Sequence, residues 1–189
     1  MALKFGIALA DFDRLKAVFK NKFFGQCMTR NLLIFDLDET LVHATTERLS
    51  RKADFEYPPY LVYKRPFLSE LLSATKPLYD FAVWSSSSKE YVDAVVGEIF
   101  AEFDVKFSWA VERCVQRVDT QSNGYVYIKD LRRVQSHGYP VERITILDDS
   151  PEKIARQPRN HLRVKPYYGL EDDRELLAIA EELVSRAER

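Results

Sequence analysis

The run from Asn31 to His43, N-L-L-I-F-D-L-D-E-T-L-V-H, constrains this chain more than any other stretch. Leu32, Leu33, Ile34 and Phe35 are apolar without alternation, the pattern of a strand buried on both faces of a parallel sheet. The run stops at two acids, so Asp36 and Asp38 fall at the carboxyl end of that strand. In open α/β sheets the crevice beyond those ends is where ligands bind. Residues two apart on an extended backbone point the same way, so both carboxylates can face one small volume. Their repulsion calls for a cation or a shared proton, and a hard, oxygen-seeking Mg²⁺ is the natural counterion, with Mn²⁺ suited to the same donors.

The same grammar recurs along the chain. Leu78–Trp84 reads as a second buried strand followed by Ser85, Ser86, Ser87 and Ser88, then a helix over Lys89–Phe103. Hydroxyls between a strand end and a helix start can hold phosphate oxygens, and Ser87 or Ser88 is the expected helix cap. Ile144–Leu147 reads as a third strand ending in Asp148-Asp149-Ser150-Pro151, with the proline opening a helix. His161–Lys165 reads as a further strand and Glu171–Arg189 as a closing amphipathic helix. Between these, Ala44–Pro59 reads as a polar loop near the site, Tyr60–Lys64 as a short strand, and Arg65-Pro66 as the start of a helix through Leu68, Leu71 and Leu72. Arg65 is open to a structural or a ligand-binding role. Asp104–Ile128 alternates around the turn cluster Gln121-Ser122-Asn123-Gly124, which predicts a small antiparallel insert over residues 104–128. Lys129 follows it directly, between a hairpin strand and a helix.

D-L-D-E-T-L-V-H, K-R-P, the serine run, K-D-L and D-D-S-P stand in the order of the motifs of the haloacid dehalogenase superfamily. The form ending in L-V-H resembles its small C-terminal-domain phosphatase branch, the NLI-interacting-factor-like enzymes, over residues 31 to about 185. The resemblance implies a Rossmann-like α/β fold: a parallel sheet flanked by helices, a small β insert and no large cap. It implies that Asp36 is a nucleophile forming an aspartyl phosphate, and that Asp38 is the general acid and then base. Thr40 would orient that loop, and Ser85, with Ser86 beside it, and Lys129 would bind the phosphoryl group. Mg²⁺ would be held by Asp36, the backbone carbonyl of Asp38, and Asp149, with Asp148 holding a metal-bound water or pairing with Lys129. Lys129 is expected to be neutralised by Asp36 and Asp149. The branch usually has threonine where Ser85 stands, asparagine where Asp149 stands and arginine where Val111 stands; Arg113, two residues on, is expected on the same face. The implied activity is Mg-dependent phosphomonoester hydrolysis on phosphoserine or phosphothreonine in proteins. The alternatives are a phosphorylated small molecule as substrate, or a non-catalytic phosphate-binding adaptor, which would have no need of Asp38.

Bulk properties narrow the field. With 189 residues, a formal net charge of −1 and 46% hydrophobic residues, the chain suits one ordinary domain and gives no bulk attraction to nucleic acid. No apolar run approaches the roughly 20 residues of a transmembrane helix, and Cys27 and Cys114 are too few for a disulfide framework. The expectation is a soluble, intracellular protein, in the cytoplasm rather than the nucleus. His43, His137 and His161 lack metal-ligand spacing and are read as structural, as are Trp84 and Trp109. Residues 1–30 form a separate extension in which Leu9, Phe12, Leu15, Phe19 and Phe23 make a helical stripe flanked by Lys16, Lys20 and Lys22. That helix packs on the domain or meets a partner or membrane surface; Asp11 and Asp13 disfavour a secretory signal.

Overall fold

The computed structural model describes residues 30–119 and 124–187; the stripe from Leu9 to Phe23, Cys27 and the turn residues Gln121, Ser122 and Asn123 lie outside them. Five strands, β1 (Asn31–Phe35), β5 (Tyr79–Trp84), β6 (Val105–Trp109), β9 (Ile144–Asp148) and β10 (His161–Arg163), form one parallel sheet in the order β10-β9-β1-β5-β6. β1 is the central strand, with Phe35 opposite Val83 on one side and Leu147 on the other. From β1 the chain proceeds outward to β5 and β6, then returns to lay β9 and β10 on the opposite side. The strand order therefore reverses between β1 and β9, which is where an open α/β sheet leaves a crevice at its carboxyl edge.

Alternation along β1 explains why all four of its apolar residues are needed. Leu33 and Phe35 join a cluster with Leu71 and Leu72 of α1 (Leu68–Thr75), Val92 and Val95 of α2 (Lys89–Ile99), and Leu176 and Leu183 of α3 (Glu175–Ala187). Leu32 and Ile34 join a second cluster with Trp84, Trp109, Ile146, Leu131, Val134 and Ile154. The latter three residues belong to 3-10 segments, Leu131–His137 and Pro151–Ile154, so the sheet is flanked unequally: the three described α-helices contribute to the first cluster only. Burying each such side chain contributes roughly 1.5–3 kcal/mol, which anchors β1 on both faces of the sheet.

Several boundaries differ from the sequence reading. Val105–Trp109 is not part of an antiparallel insert over 104–128. It is the parallel edge strand β6, and only β7 (Val115–Asp119) and β8 (Gly124–Ile128) form the hairpin. Period-2 alternation reports that a strand has two different faces, and an edge strand of a parallel sheet has them too. Ala44–Pro59 is not a simple loop: β2 (Val42–Thr45), β3 (Phe55–Tyr57) and β4 (Tyr60–Lys64) make a second antiparallel sheet, with Tyr57 paired to Tyr60 across Pro58-Pro59. Pro66 also precedes the α1 N-cap residue Phe67, whose φ is 63°, instead of sitting inside the first turn. Among the described residues no helix is long and apolar enough to cross a membrane.

Candidate active site

Asp36 follows the last residue of β1, has 1% of its surface exposed, and donates its N–H to the carbonyl of Leu147 at 2.9 Å, so the ladder to β9 continues into the site. Lys129, fully buried, enters from the end of β8. Its Nζ lies 2.8 Å from Asp36 Oδ1 and 2.6 Å from Asp148 Oδ2. Asp148 ends β9, the neighbour of β1, and so one ammonium reaches both acids. The second partner of Lys129 is thus Asp148 and not Asp149. A second lysine, absent from the sequence reading, completes the group: Lys153 Nζ is 3.3 Å from Asp36 Oδ2, and its carbonyl accepts the Lys129 N–H at 2.8 Å. Burial opposes charge on Asp36, but the two ammonium groups outweigh it and hold the carboxyl below the usual range. Burial and the charge of Asp36 push the Asp148 carboxyl the other way.

Directly after Asp36 the chain folds back on itself. The amides of Thr40, Leu41 and Val42 all converge on the Leu37 carbonyl at 3.2, 2.8 and 3.1 Å, with Glu39 in the left-handed region at φ 56°. A non-glycine residue there costs about 1 kcal/mol or more, a strain that the surrounding hydrogen bonds sustain. Asp38 is fixed within this turn by two hydroxyls: Tyr91 donates to Oδ1 at 2.5 Å and Ser87 to Oδ2 at 2.7 Å. Both donors stand at the start of α2, whose N-cap is Ser88, accepting the Tyr91 N–H at 3.4 Å. The ring of Tyr91 is edge-on to Tyr57 at 5.3 Å and Tyr60 at 6.4 Å, so the β2-β4-β3 sheet backs the acid from behind. Burial is the largest influence on Asp38 and raises its carboxyl above the usual range, against the two hydroxyls that favour its charged form. Burial, with Asp38, Asp149 and Asp36 nearby, also pushes the Glu39 carboxyl up to about 7.

Carboxylate oxygens of Asp36, Asp148 and Asp149 lie within 4.8 Å of one another. The donors are all oxygens, the set a hard divalent cation takes. Asp36 Oδ1 faces the Lys129 ammonium at 2.8 Å, and among the described residues the buried Thr40 Oγ1 has no hydrogen-bond partner. An all-oxygen triad of carboxylates at the strand ends fits a metal ion. Asp149 is the freest donor of the three, because the Asp148 oxygens already serve Lys129 at 2.6 Å and the Ser150 N–H at 2.8 Å, and the two Asp36 oxygens face Lys129 and Lys153. The Asp38 carboxyl, engaged by Tyr91 and Ser87, is not in the triad; only its backbone carbonyl is left for the metal role assigned to that residue.

The other sequence-derived residues sort by their contacts. Ser85 is buried at the end of β5 with its Oγ accepting the Ser87 N–H at 3.0 Å, and Ser86 is half-buried beside it. Arg65 is structural: Nε and Nη2 grip Asp173 at 3.0 and 2.9 Å while Nη1 donates to the Thr40 carbonyl at 3.0 Å. Arg113 does not share a face with Val111, because Val111–Arg113 is a 3-10 turn, in which positions two apart diverge. Its guanidinium sits 5.3 Å over the Trp109 ring. The histidines have structural contacts: His161 Nε2 meets the Asp148 carbonyl at 2.8 Å, His137 lies against Phe107 and Trp109, and His43 Nδ1 is 3.4 Å from Glu39 Oε1.

A central parallel strand ending in Asp-x-Asp, a serine after the next strand, a buried lysine and an acid pair across the crevice define a haloacid dehalogenase-type domain. The sequence model of the NLI interacting factor-like phosphatases matches residues 31–188, and the chain belongs to that family. Among its relatives, Phosphatase Herzog of Drosophila melanogaster is 32% identical over 170 residues, covering 82% of this chain and 45% of that protein. CTD small phosphatase-like protein 2 of Dictyostelium discoideum is 29% identical over 154 residues, covering 78% and 26%. The chain therefore spans half or less of the length of these relatives. In three dimensions it resembles Fcp1, an essential RNA polymerase II CTD phosphatase, with TM-score 0.57 at 19% identity over 96% of this chain and 52% of the other. It also resembles a HAD-like family hydrolase from Porphyromonas gingivalis, with TM-score 0.51 at 17% identity over 82% and 98%. These two likenesses concern the fold.

Proposed function

We propose that the protein is a metal-dependent phosphomonoesterase that works through an aspartyl phosphate. The observation that carries this reading is the divergence of two acids two residues apart: Asp36 held ionised by Lys129 and Lys153, Asp38 raised by burial. Carboxyls pushed in opposite directions are what a nucleophile and a general acid require. In the proposed reaction a carboxylate oxygen of Asp36 forms a bond to phosphorus as the bond to the leaving oxygen breaks, and Asp38 transfers its proton to that oxygen. Asp38, then ionised, takes a proton from water as the water oxygen attacks the aspartyl phosphate, releasing inorganic phosphate and restoring Asp36. Lys129 offsets charge on the phosphoryl oxygens, and the Ser85 hydroxyl and neighbouring amides orient them. Mg²⁺ or Mn²⁺ bound by Asp36, Asp149 and the Asp38 carbonyl would supply charge neutralisation between nucleophile and phosphate.

The substrate we propose is phosphoserine or phosphothreonine in a protein. Among the described residues the site carries two small antiparallel sheets and no large cap, which leaves room for a polypeptide. One human relative is named as a small phosphatase for the carboxy-terminal domain of an RNA polymerase II polypeptide. The apolar Val111, where the branch usually has arginine, favours a protein other than that polymerase tail.

The test is hydrolysis of an aryl phosphate with Mg²⁺ and with chelator, by the wild type and by Asp36→Asn and Asp38→Asn. Metal-dependent turnover lost in both variants is expected. No turnover by folded wild type with either metal would favour the adaptor reading; where turnover is seen, phosphopeptide and metabolite panels separate the two enzyme readings.

A further inference from the structure

The charge of the acid cluster has a specific source of balance. Asp36, Asp148 and Asp149 bring three carboxylates together, and Lys129 alone would leave two of them uncompensated. Lys153 supplies the second ammonium. Its side chain is 21% exposed, and Nζ reaches the one oxygen of Asp36 that Lys129 does not. That contact, at 3.3 Å, places the ammonium against the cluster in which oxygens of Asp36, Asp148 and Asp149 lie within 4.8 Å of one another. Lys153 and Asp149 belong to the same short stretch, with the Lys153 N–H bound to the Ser150 carbonyl at 3.1 Å and Ser150 Oγ bound to Asp149 Oδ1 at 3.1 Å. The base stands four positions after the acid, so the turn that introduces the additional carboxylate also introduces its counter-charge.

We propose that Lys153 is a built-in counter-ion of this cluster, which offsets the carboxylate that Asp149 adds and competes with a divalent cation for Asp36 Oδ2. It is a positioning residue for the nucleophile and sets the affinity of the metal site. The competition rests on the metal-dependent reading above, whereas the counter-ion role does not. Removing a cation a few ångströms from the ligand oxygens weakens a repulsion worth a factor of about five or more in affinity at an effective dielectric constant between those of protein surface and water.

The experiment uses the full chain as wild type, Lys153→Met, Lys153→Arg, Asp149→Asn and the double variant Asp149→Asn/Lys153→Met. Mn²⁺ and Mg²⁺ binding is measured by calorimetry, and thermal melting is measured in chelator. Lys153→Met is expected to bind Mn²⁺ at least about fivefold more tightly than wild type, with Lys153→Arg close to wild type. In chelator, Lys153→Met is expected to melt below wild type and the double variant above Lys153→Met. Equal or weaker Mn²⁺ binding by Lys153→Met, or a double variant that recovers nothing, overturns the proposal. Absence of metal binding in all five proteins overturns the metal-dependent reading and the competition, and the melting cycle still decides the counter-ion role.

Discussion

Asp173→Ala should be strongly destabilising although Asp173 lies outside the catalytic groups. Arg65 has 1% of its surface exposed and its guanidinium makes three hydrogen bonds, two to the Asp173 carboxylate and one to the Thr40 carbonyl, with the Tyr167 ring 5.3 Å away. The Asp173 side chain is 14% exposed, so the pair is scarcely screened by solvent. Removing the carboxylate leaves a buried cation with one carbonyl partner, a change that costs about 3–5 kcal/mol. For a domain of this size that lowers the melting temperature by roughly 6–20 °C. The Thr40 carbonyl belongs to the turn that fixes Asp36 and Asp38, so aryl phosphate turnover should fall in Asp173→Ala even below its melting transition. Urea unfolding and steady-state kinetics on Asp173→Ala and Arg65→Met/Asp173→Ala test this. The double variant should be the more stable of the two, because an apolar side chain needs no partner there. A loss under about 1 kcal/mol in Asp173→Ala, or a double variant less stable than the single, would refute the assignment of a desolvated ion pair.

Three further outcomes follow from the same geometry. Lys129→Met should lower aryl phosphate turnover by about 10²-fold or more, since it removes the cation shared by Asp36 and Asp148; kinetics on protein shown to be folded by circular dichroism checks it. Tyr91→Phe removes the 2.5 Å hydrogen bond to Asp38 and should depress turnover of a phosphoserine peptide about tenfold more than that of an aryl phosphate, whose leaving group needs little proton transfer; equal losses on both substrates would count against Asp38 as the acid. Asp130 is held well below the usual carboxylate range, first by Arg132 and then by Arg156 and Gln157. Its folded pKa is depressed, so its contribution is present above the unfolded value of about 4 and lost as pH falls further. Asp130→Asn should therefore lose about 1 kcal/mol at neutral pH, the exposed arginines being partly screened, and the difference from wild type should close in melts below pH 4.

Much of the site was legible in the chain itself. Asp36, Asp38, Ser85, Asp148 and Asp149 each stand where an apolar run ends, and a buried strand writes its own end into the sequence. Ser88 as a helix cap was legible for a similar reason, since capping is satisfied within one helical turn. Lys153 was not, because a lone lysine in a polar turn carries no pattern; its role depends on β9 lying beside β1, which brings Asp36 within 3.3 Å across 117 residues of sequence. Tyr91 was read only as part of a helix, and Ser87 as a candidate cap within a hydroxyl run suited to phosphate, not as a partner of Asp38. Their hydroxyls acquire a function when α2 docks beside the turn after β1 and meets Asp38.

The sequence by itself determined the buried central strand, the order of the strand-end motifs and the residue types able to do phosphoryl chemistry, because hydrophobic periodicity and local turn chemistry act over a few residues. Only the tertiary structure decided that Val105–Trp109 extends the parallel sheet, that Arg65 is held by Asp173, and that Lys129 bridges Asp36 to Asp148 while Lys153 guards the other oxygen. Each of those is a contact between segments far apart in the chain, and its energy exists only once both partners have been drawn out of water into the same place.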